Sequence, residues 1–359
     1  VEAFQRLTGV NPRTDPAFGN RAWTSLTDLL IAWDLPAPPG YRELKSRIFL
    51  AVEPRWGPFL RDANAAIDWR LVSWGGVLID DRRLGDTLPC RRGCIPALDD
   101  PRLTTAAQGD WYPDDRIVFG IVVGSEAVAL PRNIMEVHEM VNMSLGGRRL
   151  GIPYCTLCGS AQAYFTDSVP EEVDVPVLRT SGLLNRSNKV MYDLVTSSVI
   201  DTFTGEALSG PLRDAGVVLE QATVVVTTWA EWRAAHPLTR IVAEDGGIRF
   251  EYPLEPLRGR DDNGPIFPIG DVDSRLPVQA DVLGVIAPDG TPLAFPVDEV
   301  RAAIDDGRAV TLFGVEVVGD AGGLRAQVRG AGELPAHQAF WFAWSQFNPG
   351  TLIWTPLSR

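Results

Sequence analysis

Apolar residues recur at helical spacing in the N-terminal part of the chain. In "AWTSLTDLLIAWDL" the side chains of Leu26, Leu29, Leu30 and Trp33 fall on one face of a helix. After the breaker "PAPPG", the stretch "YRELKSRIFLAV" continues the same spacing. The pattern therefore predicts a helical N-terminal region, which we place at residues 1–75.

A different pattern begins near residue 67. From "IDWRLVSWGGVLIDDR" onward, short apolar runs alternate with turns rich in Gly, Pro and Asp, which is typical of strands. The 28 prolines, 34 glycines and 11 tryptophans also favour short strands over a helical bundle. We therefore expect an α+β fold that is predominantly β, with a helical region at its N-terminus.

One further helix is predicted inside the β-rich part. The segment "RNIMEVHEMVN" follows Pro131 and places Ile134, Val137, His138 and Val141 on one face. This spacing predicts that His138 points inward, that Glu139 lies at the edge of the apolar face, and that the helix ends at residue 142 before "SLGG".

Two pairs of segments repeat in the same order along the chain. "VFGIVVGSEAVALP" (118–131) is similar to "VLGVIAPDGTPLAFP" (282–296), since both predict a strand, a tight turn, a second strand and a closing proline. "TWAEWRAAHPLTRI" (228–241) aligns without gaps to "FWFAWSQFNPGTLI" (340–353) and matches Trp232 with Trp344. The repeats predict two related β-rich units packed as pseudo-symmetric halves.

These patterns divide the chain into four parts. A first β-rich unit at 76–243 follows the helical region, a linker occupies 244–275, and a second, degenerate unit occupies 276–359. The helix histidine and the second cysteine pair fall in the first unit alone. Any chemistry of those residues is therefore expected in the first unit.

The motif "YCTLCGS" has the form of a metal knuckle. Its tight turn would aim the sulfurs of Cys155 and Cys158 at one point, and Gly159 would close the turn. Two thiolates hold a metal poorly, so a further ligand is needed, and the inward-facing His138 is the best candidate. Two cysteines and a histidine with one open position suit one transition-metal ion, copper or zinc. Glu139 is then the nearest candidate for a catalytic proton acceptor.

Two other interpretations of this cysteine pair remain open. Cys155 and Cys158 could cycle between dithiol and disulfide, although the strand-like "GSAQAYF" that follows lacks the helix N-terminus that activates such a pair in thioredoxin-like proteins. The pair could also be a structural disulfide or zinc site in a scaffold or interaction module. A zinc-protease helix is excluded, because Asn142 stands where the second histidine would be required.

The motif "CRRGC" contains the other pair, Cys90 and Cys94. Its spacing suits a disulfide in an oxidising compartment, and it could also contribute to an all-cysteine zinc site. A polar stretch at 181–212 contains Asn185, Arg186, Asn188 and Asp193, which are candidates for lining a pocket beside the cysteines.

Composition restricts the partners. The net charge of −13 and the pI of about 4.8 exclude a general attraction to nucleic acid, which leaves a small molecule or a metal ion as the expected partner. No apolar run approaches the roughly 20 residues that cross a bilayer.

Only Lys45 and Lys189 are lysines among the 33 basic residues, which indicates coding bias toward arginine rather than function. The chain begins at Val1, so we expect that an N-terminal segment has been removed.

Several motifs in fixed order resemble the bacterial family catalogued as domain of unknown function 3179. These motifs are "VHEMVN", "YCTLCGSAQAYF", "SGLLNRSNKVMYD", "TGEALSGPL" and "TWAEWRAAHP". The resemblance covers residues 95–243 strongly and the C-terminal repeat more loosely. It implies an exported, extracytoplasmic protein, for which a Cys90–Cys94 disulfide is suitable.

The resemblance also bears on the site residues. The family's His-Glu pair falls on His138 and Glu139, and its cysteine pair falls on Cys155 and Cys158. This chain departs from the family pattern at Thr156, which replaces a proline, and at Ile200 and Thr202, which replace a tryptophan and a glutamine. The leading prediction is an extracytoplasmic metal-binding protein with the ligands His138, Cys155 and Cys158, which would be a metalloenzyme if one coordination position is open.

Overall fold

A computed structural model describes residues 1–14, 21–87, 90, 93–260, 262 and 264–356. The fold is predominantly β, as predicted, and its five small sheets are arranged as a five-bladed propeller. The helical N-terminal region is also confirmed. Among the described residues, no helix combines the length and the apolar character that crossing a membrane requires.

The helices of the described residues are short. Their bounds are α1 Glu2–Thr8, α2 Ala22–Ala32, α3 Tyr41–Val52, α4 Gly57–Arg61, α5 Arg132–His138, α6 Gly210–Asp214, α7 Trp229–Ala235, α8 Val297–Asp305 and α9 Trp341–Phe347. The strands as far as the first repeat helix are β1 Val72–Trp74, β2 Leu98–Asp99, β3 Leu103–Thr105, β4 Ile117–Val123 and β5 Glu126–Pro131.

The strands between α5 and α8 contain the segment with the cysteine turn. They are β6 Met140–Leu145, β7 Arg148–Cys155, β8 Ser160–Ala161, β9 Ala163–Phe165, β10 Leu178–Asn185, β11 Asn188–Asp193, β12 Val199–Ile200, β13 Glu220–Ala222, β14 Val225–Thr228, β15 Arg240–Val242, β16 Asp281–Ile286 and β17 Pro292–Pro296. The last strands are β18 Val310–Leu312, β19 Val315–Asp320, β20 Gly323–Val328, β21 Gly332–Leu334, β22 Ala336–Phe340 and β23 Leu352–Ile353.

The two predicted repeats form sheets of the same topology. The first core sheet has the order β14-β4-β5-β15-β3, and the second core sheet has the order β22-β16-β17-β23. In the first core sheet β15 pairs in parallel with β5, and in the second β23 pairs in parallel with β17. The paired residues are equivalent in the two repeats: Ile241 pairs with Ala129, and Ile353 pairs with Ala294. The structure therefore supports the repeat that the sequence predicts.

A glycine and a tryptophan hold each repeat helix against its sheet. A Cβ atom placed on Gly120 would lie 2.3 Å from the ring of Trp232, and one placed on Gly284 would lie 2.1 Å from the ring of Trp344. Both indole rings are buried, because α7 and α9 pack directly on the strands that lack a side chain at these positions. The aligned tryptophans thus have the same structural role in both units.

Each repeat carries an inserted segment between its first helix and its third strand. In the second unit the insertion is β18–β21, which forms a separate antiparallel sheet. In the first unit the insertion contributes most of two sheets. The site sheet has the order β13-β9-β7-β6-β2, with β8 paired to β7, and the helix-backed sheet has the order β1-β10-β11-β12. The two units therefore match in their core sheets and differ in their insertions.

The N-terminal helices pack against the helix-backed sheet. Trp56 is fully buried, and its indole N–H donates to the carbonyl oxygen of Ser181 at 2.7 Å. Phe59 packs on Tyr192 of β11 with ring centroids 5.3 Å apart. Strand β1 lies within the predicted helical region 1–75 but pairs with β10 of the first β-rich unit, so this sheet contains residues from both parts. The domain boundaries stay predictions.

The predicted helix 132–142 is wrong in its second half. Helix α5 ends at His138, and Glu139 adopts a left-handed backbone conformation with φ of 52°. Met140 then starts β6, which pairs with β7 on one side and with β2 on the other. Pairing with two strands outweighs the helical spacing of Val141, because periodicity in a short apolar run does not distinguish a helix from a buried strand.

Candidate functional site

The predicted cysteine turn connects β7 to β8. Its backbone closes where the N–H of Cys158 donates to the carbonyl oxygen of Cys155 at 3.2 Å. Gly159 has φ of +59° and lies against the ring of Phe340. The backbone N–H of Phe340 donates to the carbonyl oxygen of Cys158 at 2.8 Å. The second core sheet therefore supports the turn, although it carries neither cysteine.

Both thiols are free and buried. Cys155 is 1% exposed and Cys158 is 0% exposed. Each thiol shifts the pKa of the other, so the two side chains interact directly. Ser187 contacts both thiols: its carbonyl oxygen lies 3.9 Å from the Cys155 sulfur, and its hydroxyl lies 3.8 Å from the Cys158 sulfur. The two sulfurs are therefore close together and almost fully covered by protein.

A buried lysine lies beside this pair. Lys189 is on β11 and is 6% exposed, and its ammonium donates to the carbonyl oxygen of Glu139. The same ammonium lies 3.7 Å from the carboxylate oxygen Oε2 of Glu139. The other carboxylate oxygen accepts from the hydroxyl of Thr156 at 3.0 Å. Glu139, predicted as a catalytic residue, therefore reaches the cysteine turn and pairs with Lys189.

The two thiols differ in acidity. Burial and the Glu139 carboxylate would raise the pKa of Cys155, but the interaction with Cys158 and, to a smaller extent, Lys189 lower that pKa below its ordinary value of 9.0. Burial and the neighbouring Cys155 raise the pKa of Cys158 well above 9.0. Burial also lowers the pKa of Lys189, which the Glu139 carboxylate opposes. Cys155 is thus the thiol that loses its proton first.

Two cavities meet at the turn. The inner cavity has a volume of about 140 Å³ and is lined by Cys155, Glu139, Lys189, Thr156 and Arg260 together with apolar groups. The outer cavity has a volume of about 600 Å³ and is lined by Thr156, Gly159 and Arg260 among other residues. Arg260 donates to the Thr156 hydroxyl at 2.9 Å. This pair lines both cavities and separates them.

His138 lies away from the thiols. One ring nitrogen, Nδ1, is 2.7 Å from the carbonyl oxygen of Pro96, and the other, Nε2, is 2.6 Å from the hydroxyl of Tyr252. Burial lowers the pKa of His138 to about 4, so the ring is neutral at pH 7. Both nitrogens are engaged, so His138 would have to leave Pro96 or Tyr252 to bind a metal together with Cys155 and Cys158. That ligand set stays a prediction.

Cys90 and Cys94 form the close pair expected of a disulfide, with Cα atoms 5.3 Å apart. Among the described residues, one group of three ligand atoms is close enough to share a metal ion: Asp80, Cys90 and Cys94. Asp80 also accepts hydrogen bonds from Arg82 at 2.7 Å and from the backbone N–H of Ala97 at 2.8 Å. A disulfide leaves no thiolate to bind a metal, so these contacts favour a structural role.

The predicted polar stretch contributes unequally. Asn188 follows Ser187 and is 1% exposed, with its Oδ1 atom unpartnered among the described residues. Asp193 instead closes its own turn by accepting from the backbone N–H of Thr196 at 2.7 Å. Thr202, one of the departures from the family pattern, donates to the carbonyl oxygen of Lys189 at 2.6 Å. The Thr202 side chain therefore contacts the backbone of the buried lysine.

Sequence reasoning missed Lys189 as a site residue. The available signal was rarity, because Lys189 is one of two lysines among 33 basic residues. Arginine stays charged in proteins, whereas lysine shifts its pKa readily when buried. A position that keeps lysine in an arginine-rich chain is therefore a candidate for chemistry.

Comparison with known proteins gives one match. A family model described as "Protein of unknown function (DUF3179)" matches residues 92–319, which include the cysteine turn, both core-sheet hairpins and Lys189. The searches of curated proteins and of solved structures returned no match. The match agrees with the resemblance seen in the motifs.

Proposed function

Since the chain belongs to the DUF3179 family of proteins of unknown function, we propose an activity from its own residues: thiol–disulfide exchange, with Cys155 as the attacking thiol and Cys158 as the resolving thiol. One observation carries the proposal. The free thiols are adjacent, and a buried lysine lies beside the one whose pKa is lowered. The thiolate is the reactive form of cysteine, so a neighbouring cation favours attack.

The exchange proceeds in two balanced steps. The Cys155 thiolate attacks one sulfur of a substrate disulfide, which forms a mixed disulfide and releases the other substrate sulfur as a thiolate that takes a proton. Cys158 then loses its proton and attacks the Cys155 sulfur, which releases the second substrate thiol and leaves a Cys155–Cys158 disulfide. The protein loses two electrons and the substrate disulfide gains them.

Lys189 would replace the helix N-terminus that activates other Cys-x-x-Cys pairs. The following segment is strand, as predicted, so no helix dipole acts on Cys155. An ammonium within a buried site acts in a low dielectric and stabilises a thiolate more strongly than it would in water. The missing helix therefore does not count against a redox role.

The Cys90–Cys94 pair supports an extracytoplasmic location. Disulfides persist mainly in oxidising compartments and are rare in the cytosol of mesophiles. The pair lines a cavity that also contains His138, outside the inner cavity of Cys155. It is proposed as a structural bridge, with the redox cycle restricted to Cys155 and Cys158.

Metal binding through Cys155 and Cys158 is the second candidate. The specific observation in its favour is that both thiols are unbridged and adjacent. His138 could join them only after leaving Pro96 and Tyr252. Copper and zinc both accept thiolate ligands, so elemental analysis decides between this candidate and the exchange reaction.

Equilibration of the folded protein in mixtures of reduced and oxidised glutathione tests the proposal. After acid quenching and alkylation, mass spectrometry should show a Cys155–Cys158 disulfide whose fraction follows the glutathione ratio. The Cys158→Ser variant should instead accumulate a mixed disulfide at Cys155. If both thiols stay reduced at every ratio in the folded protein, the proposal is wrong.

A further inference from the structure

The outer cavity lies against the cysteine turn and shares Thr156 and Arg260 with the inner cavity. Thr156 and Gly159 of the turn form part of its wall, and Tyr154, which precedes Cys155, also lines it. A volume of about 600 Å³ is within the range of pockets that hold small organic ligands. Cys155 lines only the inner cavity, so a disulfide bound in the outer cavity reaches the thiol past Thr156 and Arg260, which line both cavities.

The wall of the outer cavity contains charges of both signs. Its arginines are Arg116, Arg132 and Arg260. Its carboxylates are Asp115, Glu136, Glu255 and Asp262. Because positive and negative groups nearly balance, the cavity does not favour a ligand with a large net charge. It favours a ligand that carries an ammonium and a carboxylate at once.

Glu136 is the most deeply buried charged side chain of the two ion pairs in this wall, and Arg132, Arg116 and Glu255 are more exposed. The Glu136 side chain is 7% exposed, and one of its oxygens accepts from Nε of Arg132 at 2.8 Å. Arg116 forms an ion pair with Glu255 at the other side of the wall. A guanidinium has five N–H donors and a carboxylate has about four lone-pair positions, so each pair keeps capacity for a ligand.

Asn133 supplies a second, independent indication of a ligand. The residue lines the cavity and is 2% exposed. Its Nδ2 donates to the carbonyl oxygen of Pro253 at 3.2 Å, whereas its Oδ1 atom has no partner among the described residues. Buried acceptors are normally paired, so this oxygen indicates a missing N–H or O–H donor.

We propose that the outer cavity binds a small zwitterionic disulfide or thiol of the amino-acid or short-peptide class, which is the substrate of the dithiol. Its ammonium or amide N–H groups lie toward Asn133 and Glu136, and its carboxylate lies toward the arginines. The assignment rests on the proposed exchange reaction. It adds substrate selection by charge pattern, with Arg260 and Thr156 between the bound substrate and Cys155.

Four disulfides of similar size test this assignment on the reduced protein. L-cystine carries ammonium and carboxylate groups, cystamine carries ammonium groups alone, dithiodiglycolate carries carboxylates alone, and bis(2-hydroxyethyl) disulfide is uncharged. We expect kcat/KM for cystine to exceed that for each of the others by at least tenfold. Equal values for cystine and the uncharged disulfide would overturn the assignment.

Variants of the wall give the second measurement. Glu136→Gln and Asn133→Leu should each reduce the preference for cystine over bis(2-hydroxyethyl) disulfide by at least fivefold. Arg308→Gln is the matched control, because Arg308 pairs with Asp306 at the surface and does not line the cavity. Circular dichroism of each variant confirms that it folds, and a preference that is the same in all variants would contradict the assignment.

Failure of the exchange reaction can be told apart from failure of this assignment. If no disulfide oxidises Cys155 in the unmodified protein, the proposed function is wrong. Calorimetric titration of the Cys155→Ser protein with cystine then tests the cavity directly. Binding that Asn133→Leu weakens supports the ligand class, and no detectable binding overturns it.

Discussion

The ammonium of Lys189 and the carboxylate of Glu139 lie 3.7 Å apart beside the Cys155 thiol, with side chains 7% and 13% exposed. The lysine comes from β11 of the helix-backed sheet, and the glutamate comes from the turn between α5 and β6. A buried ion pair is costly unless its remaining donors and acceptors are satisfied. Here the Thr156 hydroxyl donates to the Glu139 carboxylate, and the Glu139 carbonyl oxygen accepts from the Lys189 ammonium, so the pair is held in place.

Removal of the buried cation should weaken the thiolate. In Lys189→Met we expect the pKa of Cys155 to rise, because the cation is lost and the Glu139 carboxylate is left unpaired, so alkylation by iodoacetamide at pH 7 should be severalfold slower. The pH profile of alkylation should move to higher pH. Lys45→Met is the matched control, since Lys45 packs on Tyr41 and Phe49 away from the cysteines. Equal profiles for both variants would contradict the role of Lys189.

The two cysteines should react in order. Limited iodoacetamide at neutral pH is expected to label Cys155 at least tenfold faster than Cys158, because the pKa of Cys155 is lowered and that of Cys158 is raised. Peptide mapping by mass spectrometry measures both rates in one sample. A faster Cys158 would reverse the assigned roles.

Stability should fall with acid because of two histidines. Burial lowers the pKa of both His138 and His337 from 6.5 to about 4, so the unfolded chain binds more protons than the folded chain between these values. The free energy of unfolding should therefore decrease as pH falls from 6.5 to about 4, by about 1.4 kcal/mol per pH unit for each histidine. Urea unfolding at several pH values measures the slope, and His337→Gln should reduce it by about half of the histidine part. An unchanged slope would contradict the prediction.

The glycines under the repeat helices should not accept a side chain. Gly120→Ala and Gly284→Ala would place a methyl group 2.3 Å and 2.1 Å from ring atoms of Trp232 and Trp344, which is a steric clash. We expect each substitution to lower the free energy of unfolding by about 3 kcal/mol. Gly319→Ala is the control, because its added Cβ would meet its nearest neighbour at 3.7 Å. Chemical denaturation of the three variants tests this, and equal losses would rule out the packing argument.

The metal content separates the two candidate functions. The thiol-exchange proposal predicts that copper and zinc in the purified reduced protein are far below one atom per chain. Stoichiometric metal that disappears in Cys155→Ser would favour metal binding instead. Loss of the metal in His138→Ala as well would show that His138 leaves Tyr252 to complete a ligand set.

The repeat was predictable from sequence because it depends on local patterns. A strand, a turn, a second strand and a proline are recorded in neighbouring residues, and the pairing of Gly120 with Trp232 recurs as Gly284 with Trp344. The end of α5 was not predictable in this way. Whether residues 139–142 continue the helix depends on β2 and β7, which come from elsewhere in the sequence.

The same missing information explains why His138 and Glu139, which are neighbours in the sequence, have different partners in the structure. A continuous helix would have kept His138 and Glu139 on adjacent positions of one surface, but the left-handed turn at Glu139 directs the two side chains to different surroundings. Glu139 reaches Thr156, and His138 reaches Pro96 and Tyr252. The rarity of lysine marks Lys189 in the sequence, but only the structure places it beside the cysteines, because Cys158 and Lys189 are 31 positions apart.

The insertions in both repeats have a consequence for synthesis on the ribosome. Strand β14 begins at Val225, about a hundred residues after β4 ends at Val123, so the nascent hairpin of β4 and β5 waits roughly 5–20 s for its partner at ordinary translation speeds. During this interval its unpaired edge can template aggregation. The inserted strands β6–β13 emerge from the ribosome before β14 and can pair with one another. The insertion can therefore fold before the core sheet that flanks it is complete. The cysteine turn would then be formed before the scaffold around it closes.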